Sequence, residues 1–429
     1  PKTTTASYTT SFKDSSRGWR LVTLPLAQFL DPTGRAVDAS RISGMSFATV
    51  EPASLPMLLD QIRLACSPSI TVSSAADSGA GSLREALGAV CSGGTVSLAP
   101  SLAGTTLELA TPLSVGGTVT LDGSAAPGAA LSGRGAVRVL EVAASGRLTV
   151  KGLVLTKGYG YELGGAVLNN GQLTLDHVTV SDSRVSTSGN DWWKGGAGIY
   201  SGEGATLTLR DSTVRGNAVD GGPGGGLYSR VGTTTTIERS TISGNSATDV
   251  GGGMRSLGTT ALINSTVSGN SATGWHGGGL FQTDGVMTVT ASTVTLNSSP
   301  GGTSGGLFVG TFGDSAASLV VTSSIVAGNT GEQCFLAAYG AGPVSLTSGG
   351  HNVVGDGTCG APATGDRTAA DPMLGPLADN GGPTWTHLPA VGSPAVDGGD
   401  PAVAGAMDQR GVTRPQGAGP DSGSVELAP

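Results

Sequence analysis

Carboxylates, an amine, an imidazole and three indoles gather at one recurrent position of this chain, just before a repeated glycine cluster. In order they are Tyr159, Tyr161 and Glu162, then Asp191, Trp192, Trp193 and Lys194, then Asp220, then Asp249, then Trp275 and His276. Three of the five tryptophans fall there in a chain that is only 4% aromatic, so composition alone does not explain the concentration. Aromatic faces beside carboxylates suit a sugar, whose C–H faces stack on rings while its hydroxyls pair with Asp and Glu. The expected ligand-binding residues are therefore Tyr159, Tyr161, Trp192, Trp193 and Trp275. Catalysis asks for more. Glycoside hydrolysis needs two carboxylates about 5–9.5 Å apart, which Glu162, Asp220 and Asp249 supply if they sit on neighbouring turns of a regular repeat. Elimination at a uronate needs a base and a neutralising cation, for which Lys194, His276 and Arg255 are candidates. Each has a plainer reading too: Asp220 and Asp249 as turn residues, His276 as a solvated loop residue. Whether the chain is an enzyme stays open.

The elements that must position these residues are read from the repeat itself. One phrase is a glycine cluster followed by an apolar residue, at Gly164-Gly165-Ala166-Val167, Gly195-Gly196-Ala197-Gly198-Ile199, Gly224-Gly225-Gly226-Leu227, Gly251-Gly252-Gly253-Met254, Gly277-Gly278-Gly279-Leu280 and Gly305-Gly306-Leu307. The other is a β-branched run closing on Asn217, Asn245, Asn270, Asn297 and Asn329, at spacings of 28, 25, 27 and 32 residues. A period in that range marks a solenoid. Glycine in helix interiors costs roughly 0.5–1 kcal/mol relative to alanine, whereas short Thr/Val/Ile runs between Gly/Asn/Ser turns are strand signals. The expected fold is all-β: a right-handed parallel β-helix, one coil per repeat, with sharp glycine corners and the asparagines stacked as an internal ladder.

Composition agrees. A core with so few aromatics, in a chain with 73 glycines and 13% charged residues, fits a narrow interior filled by Val, Leu, Ile, Ala and Thr. A net charge of −8 makes nucleic acid and anionic membrane poor partners. No apolar run is long enough to insert in a bilayer. Cys66/Cys91 and Cys334/Cys359 are two pairs, each 25 residues apart, flanking the two ends of the repeats. Two local disulfides, and so an oxidising compartment, are the natural reading; four buried thiols are the alternative. No His/Cys cluster has zinc spacing. Asp366, Asp371, Asp397, Asp400 and Asp408 leave structural calcium as the remaining cofactor candidate, although Asp-Pro and Asp-Gly steps are turn chemistry first.

Along the chain, residues 1–65 differ in character. Gly18-Trp19-Arg20-Leu21-Val22-Thr23-Leu24-Pro25 and Leu59-Asp60-Gln61-Ile62-Arg63-Leu64 resemble the closing strands of a jelly-roll, galactose-binding-like or carbohydrate-binding module. Such a sandwich needs more strands, so the resemblance implies partner strands upstream or in a neighbouring subunit, a route to self-association. Residues 66–93 carry the one convincing helix, Ser82-Leu83-Arg84-Glu85-Ala86-Leu87, with Ser82 and Glu85 at capping-box spacing. Solenoid ends need caps, so this helix is expected to plug the N-terminal end. Residues 94–330 form the β-helix, and 331–429 form last coils and a proline-rich, loop-rich cap. Its phrases Asn380-Gly381-Gly382-Pro383-Thr384, Asp408-Gln409-Arg410-Gly411 and Asp421-Ser422-Gly423-Ser424-Val425-Glu426-Leu427, with the cap helix and the repeats, resemble bacterial choice-of-anchor right-handed β-helix proteins. The repeats are also similar to those of polymorphic membrane proteins. The resemblance implies an exported protein held at the cell surface, but names no reaction. Sequence therefore leaves two expectations: an adhesive or structural surface component that binds a glycan or envelope polysaccharide, or a secreted polysaccharide-degrading enzyme with a groove along the solenoid edge.

Overall fold

The computed structural model describes residues 66–428 apart from Ser188, Asn190 and Asp191. The jelly-roll-like reading of residues 1–65 lies outside the described residues. Residues 67–368 form a right-handed parallel β-helix, as the repeat predicts. One coil shows the plan: Leu227–Ser229, Thr234–Glu238, Thr241–Ser243 and Ser246–Ala247 run along four successive walls, and the chain re-enters the first at Met254–Ser256. Equivalent strands stack into parallel sheets of nine, eleven, eleven and five strands, here sheets A, B, C and D in the order the chain visits them.

Strand alternation fixes what each wall buries. In sheet B, Leu209, Ile237, Leu262 and Val289 point inward and are essentially inaccessible. The outward column is Thr120, Thr149, Thr174, Thr208 and Thr236, in register coil upon coil, which suits β-branched residues on a half-buried pleated surface. Beside it Asp122, Lys151, Asp176, Arg210 and Glu238 alternate in sign. A like-charge neighbour would oppose such pairing, so this column helps to hold the register.

The two repeated phrases prove to be one device. At the corner between sheets C and D, each asparagine amide donates to the next: Asn217 to Asn245, Asn245 to Asn270, Asn270 to Asn297 and Asn297 to Asn329, all at 2.9 Å. Gln333 ends the ladder, accepting from Asn329 at 2.8 Å. Across the coil the last glycine of each cluster lies against that amide. A Cβ on Gly226, Gly253 or Gly279 would sit 3.1 Å from the Asn245, Asn270 or Asn297 amide and closer still to a carbonyl of the next coil. Glycine before sheet A and asparagine after sheet C therefore require one another. A second ladder, of serines, runs along the corner between sheets B and C. Ser240, Ser265, Ser292 and Ser324 each accept the backbone N–H of the ladder serine one coil earlier, at 3.1 Å.

A helix sits at the N-terminal end of the described coils. The helix Leu83–Ala89 packs between the strands Ser67–Val72 and Val90–Leu98, and buries Leu83 and Ala86 in the main core. Ser82 caps it through the Glu85 N–H, while Glu85 reaches back to the Gly81 N–H at 2.8 Å rather than to that of Ser82. The disulfides Cys66–Cys91 and Cys334–Cys359 form as expected. The coils stop at Arg367–Thr368. The tail then folds back along the outer face of sheet C: Thr241 donates to the Trp385 carbonyl, Thr266 to Gln409, and Ser268 pairs with His387. Arg414 and Glu426, both fully buried, pair at 3.2 Å and clasp this strap. Arg414 also donates to the Asp421 and Gly423 carbonyls, and Glu426 accepts from the Gln416 and Asp421 N–H groups. The aspartates considered for calcium accept backbone N–H groups: Asp366 from Asn352, Asp371 from Met373, Asp397 from Gly419, Asp400 from Ala402 and Asp408 from Val412.

Candidate ligand-binding edge

The loops that carry the sequence-selected residues enter sheet A, and the outer face of that sheet decides where they rest. Its outward column runs Leu168, Tyr200, Tyr228, Arg255, Phe281, Phe308 and Phe335, one residue per coil. Tyr228, Arg255, Phe281 and Phe308 are at most 2% exposed although they point away from the solenoid interior. They are covered by the loops between sheets D and A. Sequence reasoning missed this column. Its signal was present as the second residue after each glycine cluster, in Gly-Ile-Tyr, Gly-Leu-Tyr, Gly-Met-Arg and Gly-Leu-Phe.

Trp192 is fastened to the column. Its carbonyl accepts from the Tyr228 hydroxyl at 3.1 Å and from the Arg255 guanidinium, and its ring lies 5.5 Å from that guanidinium, which also faces the Tyr228 and Phe281 rings. Trp193 meets Trp192 edge to face at 6.1 Å, and both indoles stay about half exposed. Lys194 pairs with Glu162 at 2.7 Å, which joins two residues that sequence assigned separate catalytic parts. Tyr161 is exposed at the end of its sheet D strand, in register with Ser186 and Asp220, while Tyr159 is half-buried opposite Arg184. Asp191 lies outside the described residues.

Farther along, His276 stacks on Phe308 at 5.2 Å and contacts Phe335. Its Nδ1 accepts the Thr303 N–H at 3.0 Å, which leaves the proton on Nε2. Burial lowers its pKa and keeps the ring neutral, and the ring packs against the column rather than standing in solvent. Trp275 lies beside it and joins Phe312 and Tyr339 in a mutual cluster, centroids 5.1–6.1 Å apart. Trp275, Phe312 and Tyr339 are 46%, 42% and 49% exposed. Together they form a second aromatic platform.

The carboxylates do not face each other at equivalent positions. Val219 pairs with Ala247, so Asp220 aligns with Thr248, and Asp249 comes one residue later. Asp220 is exposed, whereas Asp249 is half-buried and burial raises its pKa, with the Arg255 charge opposing. Two shallow crevices, of about 180 and 480 Å³, lie on the sheet C side, the first lined by Leu296, Asp371 and His387 and the second by Gly152, His177 and Thr179. Neither touches the aromatic edge. Among the described residues Asp176, His177 and Asp211 bring ligand atoms within 4.8 Å of one another, but Arg239 already holds Asp211 through two bonds of 2.9 and 2.8 Å, and His177 pairs with Asp176.

Residues 164–358 match the family model of the right handed beta helix region. The matched region opens on the first glycine cluster and contains the whole asparagine ladder and both aromatic platforms. No curated protein and no solved structure matches the chain.

Proposed function

We propose that the protein is an extracellular β-helix rod that binds a glycan through the outer edge of sheet A, as an adhesive or structural component of a cell surface or extracellular assembly. The observation that carries this reading is the pair of half-exposed aromatic platforms, Trp192 with Trp193 and Trp275 with Phe312 and Tyr339. Their size favours a sugar over a protein partner. From the fractional exposures, the second platform offers about 300 Å², while a stable protein interface takes about 800 Å² from each partner. The two disulfides support an oxidising, extracellular setting. The likeness of the tail phrases to choice-of-anchor proteins supports display at a bacterial surface.

The enzyme reading keeps one specific observation in its favour. Asp249 is half-buried on the edge with its pKa raised, as a general acid requires. Against it, Glu162 and Lys194 are paired with each other, and Asp220 and Asp249 are out of line. The test is a glycan array probed with the full chain, followed by reducing-end and unsaturated-product assays on every glycan retained. Retention without product is the expected result. Turnover of a retained glycan would move the assignment to the enzyme, and retention of nothing would remove the binding reading.

A further inference from the structure

The two platforms lie on one line. In coil order the loops entering sheet A are those of Trp192–Lys194, Asp220, Asp249 and Trp275–His276, so the first and last are separated by three coil steps, about 14 Å at the parallel-strand spacing. Contacts connect them without a break: Trp192 to Arg255, Arg255 to Phe281, Phe281 to Phe308 at 4.3 Å, Phe308 to His276, and His276 to Trp275 at 5.7 Å. The column beneath is rigid because its members are buried and stacked, which fixes the separation of the indoles above it.

We propose that a single linear glycan lies parallel to the rod axis, with one sugar on the Trp192/Trp193 platform and another on the Trp275/Phe312/Tyr339 platform. This rests on the glycan-binding reading and adds to it the direction of the chain and a minimum length. A ligand too short to span both platforms occupies one at a time. A ligand long enough to reach both gains the second contact as an intramolecular event, on the order of 100-fold in affinity without any new kind of interaction.

The experiment is calorimetric titration of the full chain with cello-, xylo-, chito- and galacturono-oligosaccharides, from disaccharide to octasaccharide, repeated with Trp193→Ala, Trp275→Ala and Trp275→Phe. One series is expected to show a step in affinity on the order of 100-fold at the length that reaches across three coils. Either alanine variant should abolish the step while short-chain binding persists at the other platform, and Trp275→Phe should keep it. Unchanged circular dichroism and thermal midpoints show that the variants fold. Affinity that is flat with length, or variants that leave the step intact, would overturn the spanning arrangement while leaving glycan binding standing. No binding at any length to the native chain would remove both.

Discussion

Asn270→Ala is the sharpest test of how the rod is held together. The Asn270 side chain is wholly buried and makes four hydrogen bonds. Its Oδ1 accepts from the Asn245 N–H and the Asn245 amide at 3.0 and 2.9 Å, and its Nδ2 donates to the Ile242 carbonyl and to Asn297 at 3.0 and 2.9 Å. At about 1 kcal/mol net for each bond the loss is roughly 4 kcal/mol, and the Asn245 N–H left unpaired adds to it. Ser265→Ala in the parallel ladder removes fewer contacts, chiefly the N–H of Ser240 at 3.1 Å and a donated bond to the Ile263 carbonyl at 2.7 Å, and should cost about 2 kcal/mol. Urea unfolding gives the totals. Because solenoid stability is a sum over coils and their neighbours, hydrogen exchange should place the loss in the coils of Asn245, Asn270 and Asn297. A cost below about 1 kcal/mol for Asn270→Ala, or one no larger than for Ser265→Ala, would refute the claim that the ladder is a main source of cohesion.

Four further outcomes follow from the same geometry. Gly253→Ala places a Cβ 2.5 Å from the Gly279 carbonyl oxygen and 3.1 Å from the Asn270 amide, so overpacking should cost about 3 kcal/mol. Gly244→Ala, with φ of 61° but open space at its Cβ, should cost only about 1 kcal/mol by thermal unfolding. Arg414→Met leaves Glu426 buried without its cation and should cost about 3–5 kcal/mol, seen as new protease sensitivity within residues 369–428; Glu426→Gln in the same chain should restore part of it. His387 is buried against sheet C with its pKa lowered by burial. Its neutral form favours folding fully above its unfolded value of about 6.5, and that contribution falls away as pH drops below it. The acid side of the stability profile should flatten in His387→Gln at constant ionic strength.

Much of this architecture is legible in the sequence because it is local and periodic. The Gly-Gly and Gly-Asn phrases recur every coil, so the solenoid, its strand order and the asparagine ladder follow from spacing alone. The serine ladder was as regular, yet serine is common in turns and carries no signal of its own until stacking is known. The tail strap was not legible as a strap: Gln409 meets Ser240 across 169 residues, and no period in the sequence announces a contact of that range. At the edge, sequence set Trp192, Trp193, Trp275 and His276 before glycine clusters, in loops that enter sheet A, but it named only Arg255 of the outward column beneath them, and as a cation for catalysis. Without that column, nothing indicated that Trp192 reaches forward two coils, or that Lys194 and Glu162 close on each other.

The central claim is that the sheet A edge, and no other part of the rod, receives the ligand. Fluorine NMR of the 5-fluorotryptophan-labelled full chain tests it most directly, because Trp385 is 56% exposed on the sheet C strap and serves as an internal control. On titration with a glycan retained in the array, the resonances of Trp192, Trp193 and Trp275 should shift together while that of Trp385 stays in place. A shift confined to Trp385, or saturable binding that moves none of the three edge tryptophans, would contradict the account.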